Sequence, residues 1–161
     1  MAIRQIRLDG DEILKKKSRE VEVVDDRIRE ILNDMDETMH ASNGVGLAAV
    51  QVGILKRLIV IDVNCDGTPS LKLVNPVIVK QKGEQEVEEG CLSFPNQYAL
   101  VKRPKEVVVK ALDENGKEVT IKGKDLLAQA LAHEIDHLNG VLFVEKMEPG
   151  TLEYLEPEEQ Q

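Results

Sequence analysis

With 161 residues, 42% of them hydrophobic, the chain is long enough to bury one substantial core, and nothing in its composition points to a disordered or collagen-like polymer. A net charge of −9 disfavours a phosphate backbone or an anionic membrane as a general partner and leaves room only for a local basic patch, while two Phe, two Tyr and no Trp leave no stacking platform for bases. Two cysteines allow at most one disulfide and the opening Met1-Ala2-Ile3-Arg4-Gln5-Ile6-Arg7 lacks an apolar signal region, so one cytoplasmic domain over residues 1–161, with reduced thiols and no membrane span, is expected.

Residues 11–19, with Lys15-Lys16-Lys17, read as a solvated surface turn without chemistry of its own. From Asp25 onward Ile28, Ile31, Leu32, Met35 and Met39 recur at helical spacing between charged residues, and Asp25 or Asp26 can cap the start. This predicts an amphipathic N-terminal helix against the core. His40 near its end reads as a satisfied or exposed imidazole rather than a ligand. The small-residue run from Asn43 to Gly53 predicts a tight passage where backbone can approach another group. No phosphate loop follows from it, because a helix precedes it and no Lys-Ser/Thr pair follows. Gln51 in this run carries an amide that needs partners when buried, and in a catalytic cleft its NH₂ can donate to a developing oxyanion.

Strands are predicted at Leu58–Asp62, Leu71–Val79, Glu84–Glu88, Tyr98–Lys102, Glu106–Leu112 and Glu118–Lys122. The turn Cys65-Asp66-Gly67-Thr68-Pro69 places Cys65 on a loop as a free thiol, and Asp113-Glu114-Asn115-Gly116 forms a hairpin turn. No helix intervenes to make crossovers, so the expectation is an α+β fold with antiparallel β-sheets packed around a central metal-binding helix. Between two strands lies Glu89-Gly90-Cys91-Leu92-Ser93-Phe94-Pro95, where Pro95 is expected to stop the ladder.

That central helix is Gln129 to Leu138 with its flanks: Asp125 is a plausible N-cap and Gly140 stands at the C′ position. Leu127, Leu131, Ile135 and Leu138 form one stripe, and Leu126, Ala130, His133 and His137 a second, which predicts a buried helix. His133 and His137, four residues apart, can grip one metal ion, and Glu134 beside the first can take a proton from a metal-bound water without being a ligand. Cys91 is the natural third ligand, leaving a fourth position for water. As a nucleophile Cys91 would leave the second His and Glu134 without tasks. A zinc peptidase with a downstream ligand would need a donor that only the final carboxylates could supply, and a structural module would need His40 or Cys65 to close its shell.

Gly44-Val45-Gly46-Leu47-Ala48-Ala49-Val50-Gln51, Glu89-Gly90-Cys91-Leu92-Ser93 and His133-Glu134-Ile135-Asp136-His137 together resemble, in order and spacing, the three signature motifs of bacterial peptide deformylases. The likeness runs from the N-terminus to about Glu145. It implies a cytosolic hydrolase that removes the formyl group from the initiator formyl-methionine of nascent polypeptides. By position, Cys91, His133 and His137 would bind the metal, Glu134 would be the general acid–base, and Gln51 with the backbone N–H of Leu92 would form the oxyanion site. The metal implied is Fe(2+), with Zn(2+), Ni(2+) or Co(2+) also accepted. Val45, Gly46, Val87, Leu126, Gln129 and Ala130, with His133, would wall the methionine slot, and Gln129 departs from the apolar residue common there. Arg103 resembles an arginine that pairs with Glu89 to prop the Cys91 loop. The short tail from about Glu148 is acidic, with Glu153, Glu156, Glu158 and Glu159, where some relatives carry a basic helix that docks on the ribosome, so docking by that route is not expected.

Overall fold

A computed structural model describes residues 2–64 and 66–155; Cys65 and the tail residues Glu156, Glu158 and Glu159 lie outside the described residues. Helix α1 spans Asp26–Ala41. Its N-cap is Asp25, whose carboxylate accepts from Ile28 N–H at 3.0 Å, and Ile28, Ile31, Leu32, Met35 and Met39 are buried on one face. The preceding segment ties onto the same helix, with Ala2 N–H donating to Asp34 Oδ1 (2.7 Å) and Arg4 N–H to Thr38 Oγ1 (2.8 Å). Residues 11–19 hold a 3-10 turn over Glu12–Lys15 that buries Leu14.

The strands are β1 (Gly46–Ala48), β2 (Leu58–Ile61), β3 (Leu71–Cys91), β4 (Phe94–Leu112), β5 (Glu118–Lys124) and β6 (Glu153–Tyr154). They form one antiparallel sheet in the order β1-β2-β3-β4-β5, with β6 added to β4. The stretches expected as four short strands, Leu71–Val79 with Glu84–Glu88 and Tyr98–Lys102 with Glu106–Leu112, are instead two long continuous ones. Register shifts between Val74 and Val77, Ile78 and Lys80, and Gly90 and Cys91 let them bend without ending. Pro95 does not stop the ladder: it sits in β4 inside the irregular stretch between the Cys91–Phe94 and Gly90–Tyr98 pairs, where its missing N–H is not needed.

Strand β2 explains its own unbroken apolar run. Ile59 and Ile61 pack toward helix α2 (Leu126–Leu138) together with Val107, Val109, Leu131, Ile135 and Leu138, while Leu58 and Val60 pack toward α1 with Ile28, Leu32 and Met35. The two helices thus lie on opposite faces of the sheet. A third cluster, including Leu14, Phe94, Val101, Leu142 and Phe143, closes the end near Cys91.

Helix α2 ends as expected, with Gly140 at φ 74° and paired bonds from Gly140 N–H to His137 O (3.1 Å) and Val141 N–H to Asp136 O (2.9 Å). A side chain at Gly140 would run into the Lys15 carbonyl oxygen. Its start differs from expectation: Asp125 makes no side-chain cap bond, adopts φ 53°, and gives its carboxylate to Lys105 Nζ at 2.9 Å.

Candidate active site

Helix α2 presents His133 and His137 one turn apart, with ring centroids 4.9 Å apart. The β3–β4 hairpin, closed by the two-residue turn Leu92–Ser93, brings Cys91 to them: its Sγ lies 3.3 Å from His137 Nε2. The three donor atoms all lie within 4.8 Å of one another. One thiol and two imidazoles suit a divalent transition metal rather than calcium or magnesium. His40 is elsewhere, with Nε2 on Asp62 Oδ2 (2.8 Å) and Nδ1 on Asp36 O (3.0 Å), so it closes no coordination shell.

Behind His133 stands a buried charge network. Its Nδ1 is hydrogen-bonded to Glu89 Oε1, and Arg103 grips Glu89 through Nη2 (2.5 Å) and Nε (2.9 Å) while reaching Asp136 Oδ2 through Nη1 (2.6 Å). Arg103 is only 2% exposed, so this is no surface salt bridge. The expected Arg103–Glu89 pair forms, but Glu89 also orients His133, and Asp136 and Lys146 (3.0 Å) extend the chain to the surface. The presence of both Glu89 and Asp136 inside the sequence motifs was the available signal for these roles.

Electrostatics separates the two carboxylates near the helix. Burial alone would raise Glu89, but the bonds from His133 and Arg103 outweigh it and hold the carboxyl at about 2. Burial raises Glu134 to about 7, with Glu89 adding to the rise and His133 opposing it. Glu134 Oε1 is buried without a hydrogen-bond partner among the described residues, as is His137 Nδ1. Against the lowering effect of burial, Glu134, Cys91 and Glu89 raise His133 well above the imidazole range, whereas burial and the His133 charge push His137 well below it.

Gln51 is 1% exposed, held by the 3-10 turn Ala49–Val52 and by Ala48 N–H donating to its Oε1 (3.0 Å). Its amide nitrogen points at Ser93 Oγ (3.0 Å) and Cys91 Sγ (3.5 Å). The tight passage before it has its reason here. A Cβ on Gly46 would stand 2.6 Å from Glu134 Oε2, and one on Gly44 would stand 2.6 Å from the Leu92 side chain.

These groups open on a cavity of about 600 Å³ that takes in Val45, Gly46, Leu126, Gln129 and Ala130. Val87 lies outside its lining, in register with Val101. Val45 and Leu126 are 39% and 47% exposed, apolar side chains left open to an occupant. The segment Phe94–Tyr98 forms a wall that sequence reasoning did not single out, because its course depends on the bend of β4.

A family model described as polypeptide deformylase matches residues 3–152. The chain is 60% identical over 146 residues to peptide deformylase 2 of Clostridium acetobutylicum, covering 90% of this chain and 95% of that one. It is 58% identical over 147 residues to the peptide deformylase of Acetivibrio thermocellus, covering 91% of this chain and 85% of that one. Among solved structures it is similar to a peptide deformylase from Legionella pneumophila, with a TM-score of 0.88 and 49% identity over 91% of this chain and 87% of the other.

Proposed function

The chain belongs to the polypeptide deformylase family, and from that premise we propose which of its residues perform the hydrolysis. The reaction is removal of the N-formyl group from nascent polypeptides by a metal-dependent hydrolase. In our reading, the initiator formyl-methionine is the substrate, formate is released, and the residues of this chain act as one catalytic unit. Cys91, His133 and His137 hold the metal, Glu134 is the general acid–base, and Gln51 with the Leu92 N–H meets the oxyanion. The observation that carries this assignment is the convergence of the three donor atoms within 4.8 Å beside a buried carboxyl with an unpartnered oxygen.

Cys91, His133 and His137 would hold a divalent cation, which would supply Lewis acidity toward a water and a carbonyl oxygen. Glu134 takes the proton that the attacking water gives up and returns it to the amine nitrogen as the C–N bond breaks, leaving formate and a free N-terminus. Held at about 7 by burial, its carboxyl exchanges protons readily in both directions near neutrality. The Gln51 amide, held through its Oε1 and by Ser93 Oγ, keeps its second N–H on the Cys91 side, where it can donate to the carbonyl oxygen. Glu89 keeps the His133 ring in one tautomer with Nε2 toward the other donors.

The methionine side chain enters between Val45, Gly46, Leu126, Gln129 and Ala130, with Val87 behind the wall. The Gln129 amide leans toward Glu88 O (3.5 Å) and Glu89 Oε2 (3.4 Å), which leaves the slot more apolar than the residue type suggests. We assign Fe(2+) as the native ion, with Zn(2+), Ni(2+) or Co(2+) able to replace it. The proposed location is the cytoplasm and the proposed wider partner is the ribosome, which presents nascent chains; no helix among the described residues is long and apolar enough to cross a membrane.

Glu134→Gln tests the assignment. Metal content should hold while formate release from a formyl-Met peptide falls by about 10²- to 10⁴-fold, the usual worth of acid–base catalysis. A near-wild-type rate removes Glu134 from the mechanism. In the same assay, iron-loaded enzyme should lose activity in air faster than nickel-loaded enzyme, and equal decay argues against iron.

A further inference from the structure

Helix α1 covers only part of its face of the sheet: Leu58, Val60, Val74 and Leu112 pack beneath it. Farther along β3, β4 and β5 that face carries lysines instead. The register sets Lys110 opposite Val77 and Thr120, then Lys80, Val108 and Lys122 in one row, and Lys82, Glu106 and Lys124 in the next. Paired residues share a face, and the alternate positions Val107 and Val109 are buried toward α2, so this set points outward. All five lysines are exposed. Glu106 reaches Lys124 at 3.4 Å, and among the described residues no carboxylate lies within ion-pairing distance of the other four.

Strand spacing of about 4.8 Å and a two-residue step of about 7 Å put Lys80, Lys82, Lys122 and Lys124 at the corners of a patch roughly 10 by 7 Å. They surround a groove of about 560 Å³ that includes Val108. In a chain of net charge −9, these three rows carry five lysines against one glutamate, a local reversal of sign bounded by Glu118 and Glu84 in the rows on either side. Protection of an open edge accounts for Lys122 and Lys124 on edge strand β5, but not for Lys80, Lys82 and Lys110 on the interior strands β3 and β4.

We propose that this face docks on the phosphate backbone of double-helical RNA. Its lysines are spaced point charges without aromatic neighbours, which suits backbone contact rather than base stacking. Its apolar side chains, Val77 and Val108, are short and set among the lysines, too small a surface for insertion into a bilayer, and it lacks the aromatic or arginine anchors typical of a protein interface. The acidic remainder of the surface repels the same polyanion, so docking is confined to one orientation. Helix α2 lies on the opposite face, where a Cβ on Gly123 would meet Leu131 at 3.0 Å, so the catalytic cavity remains open while the lysine face is occupied. The choice of RNA over DNA rests on the deformylase reading, because nascent chains are delivered by an RNA machine; the cationic face stands independently of it.

The test is fluorescence anisotropy of a labelled RNA duplex of about 20 base pairs with the intact, metal-loaded protein. Four neutralised phosphates give a log–log salt slope of about −3.6, so binding should weaken about a hundredfold between about 50 and about 200 mM salt. Each of Lys80→Gln, Lys82→Gln, Lys122→Gln and Lys124→Gln should lower the slope by about one, and the quadruple variant should lose binding. Lys15→Gln/Lys16→Gln/Lys17→Gln, removing lysines elsewhere on the surface, should bind as wild type does. Deformylation of a formyl-Met peptide should be the same in wild type and the quadruple variant, with and without RNA. The proposal is overturned by absence of RNA binding, by equal binding of the quadruple variant, by tighter binding to phosphatidylserine vesicles or duplex DNA, or by RNA blocking the peptide reaction. Loss of deformylation in the wild-type protein itself would count against the catalytic reading instead.

Discussion

Gly46→Ala tests where the Glu134 carboxylate must stand. The new methyl would lie 2.6 Å from Oε2 and 3.1 Å from both Cδ and Cγ, whereas ordinary van der Waals contact begins at 3.4 Å. The carboxylate must therefore retreat by about 0.8 Å, since the backbone of β1 is paired with β2 and Glu134 is the more mobile partner. Gly46 does not have a positive φ, so alanine brings no backbone strain of its own. Misplacing a proton-handling group by about 1 Å costs about 10²-fold in rate. We expect kcat for formate release to fall by about that factor, with metal content by mass spectrometry unchanged because Cys91, His133 and His137 are untouched. KM should rise less, as the methyl only narrows the methionine slot. A kcat within about twofold of wild type would falsify the idea that this carboxylate, in this position, handles the proton.

Cys91→Ser should weaken metal retention, because a hydroxyl is a poorer and harder donor than a thiolate, while Cys65→Ser should leave metal and rate intact; equal losses would reassign the ligand. Arg103→Met leaves Glu89 buried without its cation, while Asp136 keeps Lys146, at a cost of about 3–5 kcal/mol, or roughly 10 °C in Tm for a chain of this size. An unchanged melting temperature would show that the network contributes nothing net to stability. The hydrogen bond to Asp62 is the main cause raising His40 above its ordinary 6.5. The pair's stabilisation is therefore complete below that value and is lost as pH climbs through the raised folded pKa. His40 is largely exposed, so the effect is small and screened by salt. Denaturant titrations of wild type and His40→Gln from about pH 6 to about pH 9 should converge toward the alkaline end, and a gap that widens with pH would contradict the assignment.

Much of this molecule is local and was legible as such. Asp25 caps α1 through Ile28, and Gly140 ends α2 with the expected pair of bonds, because each needs only a few consecutive residues. Asp125 failed as a cap for a tertiary reason: the chain arrives from β5 at φ 53°, which carries its carboxylate to Lys105 and away from the helix N–H groups. The long strands were read as fragments because polar pairs such as Lys80 and Lys82 look like loop composition when no helix covers them. Their register, a long-range property, keeps them in the sheet. The lysine face was hidden for the same reason, since Lys80 and Lys122 are 42 residues apart in the chain and meet in one row only through β4.

The site shows the same division between residue type and surroundings. Composition marks Glu89 and Glu134 alike as glutamates within motifs, yet the fold assigns them opposite states. Glu89 receives hydrogen bonds from Arg103 and His133, and its charge is fixed. Glu134 is buried against the bare backbone of Gly46 with one oxygen unpartnered, and its proton is held loosely enough to be exchanged. A buried pair whose affinities for the proton are pushed apart divides the labour of acid and anchor between chemically identical groups. Arg103 makes that separation possible. Joined to Asp136, which lies on helix α2, it supplies positive charge on the Glu89 side of His133, and so would hold the proposed metal ligand in place while burial still keeps the carboxyl proposed to move the proton at about 7.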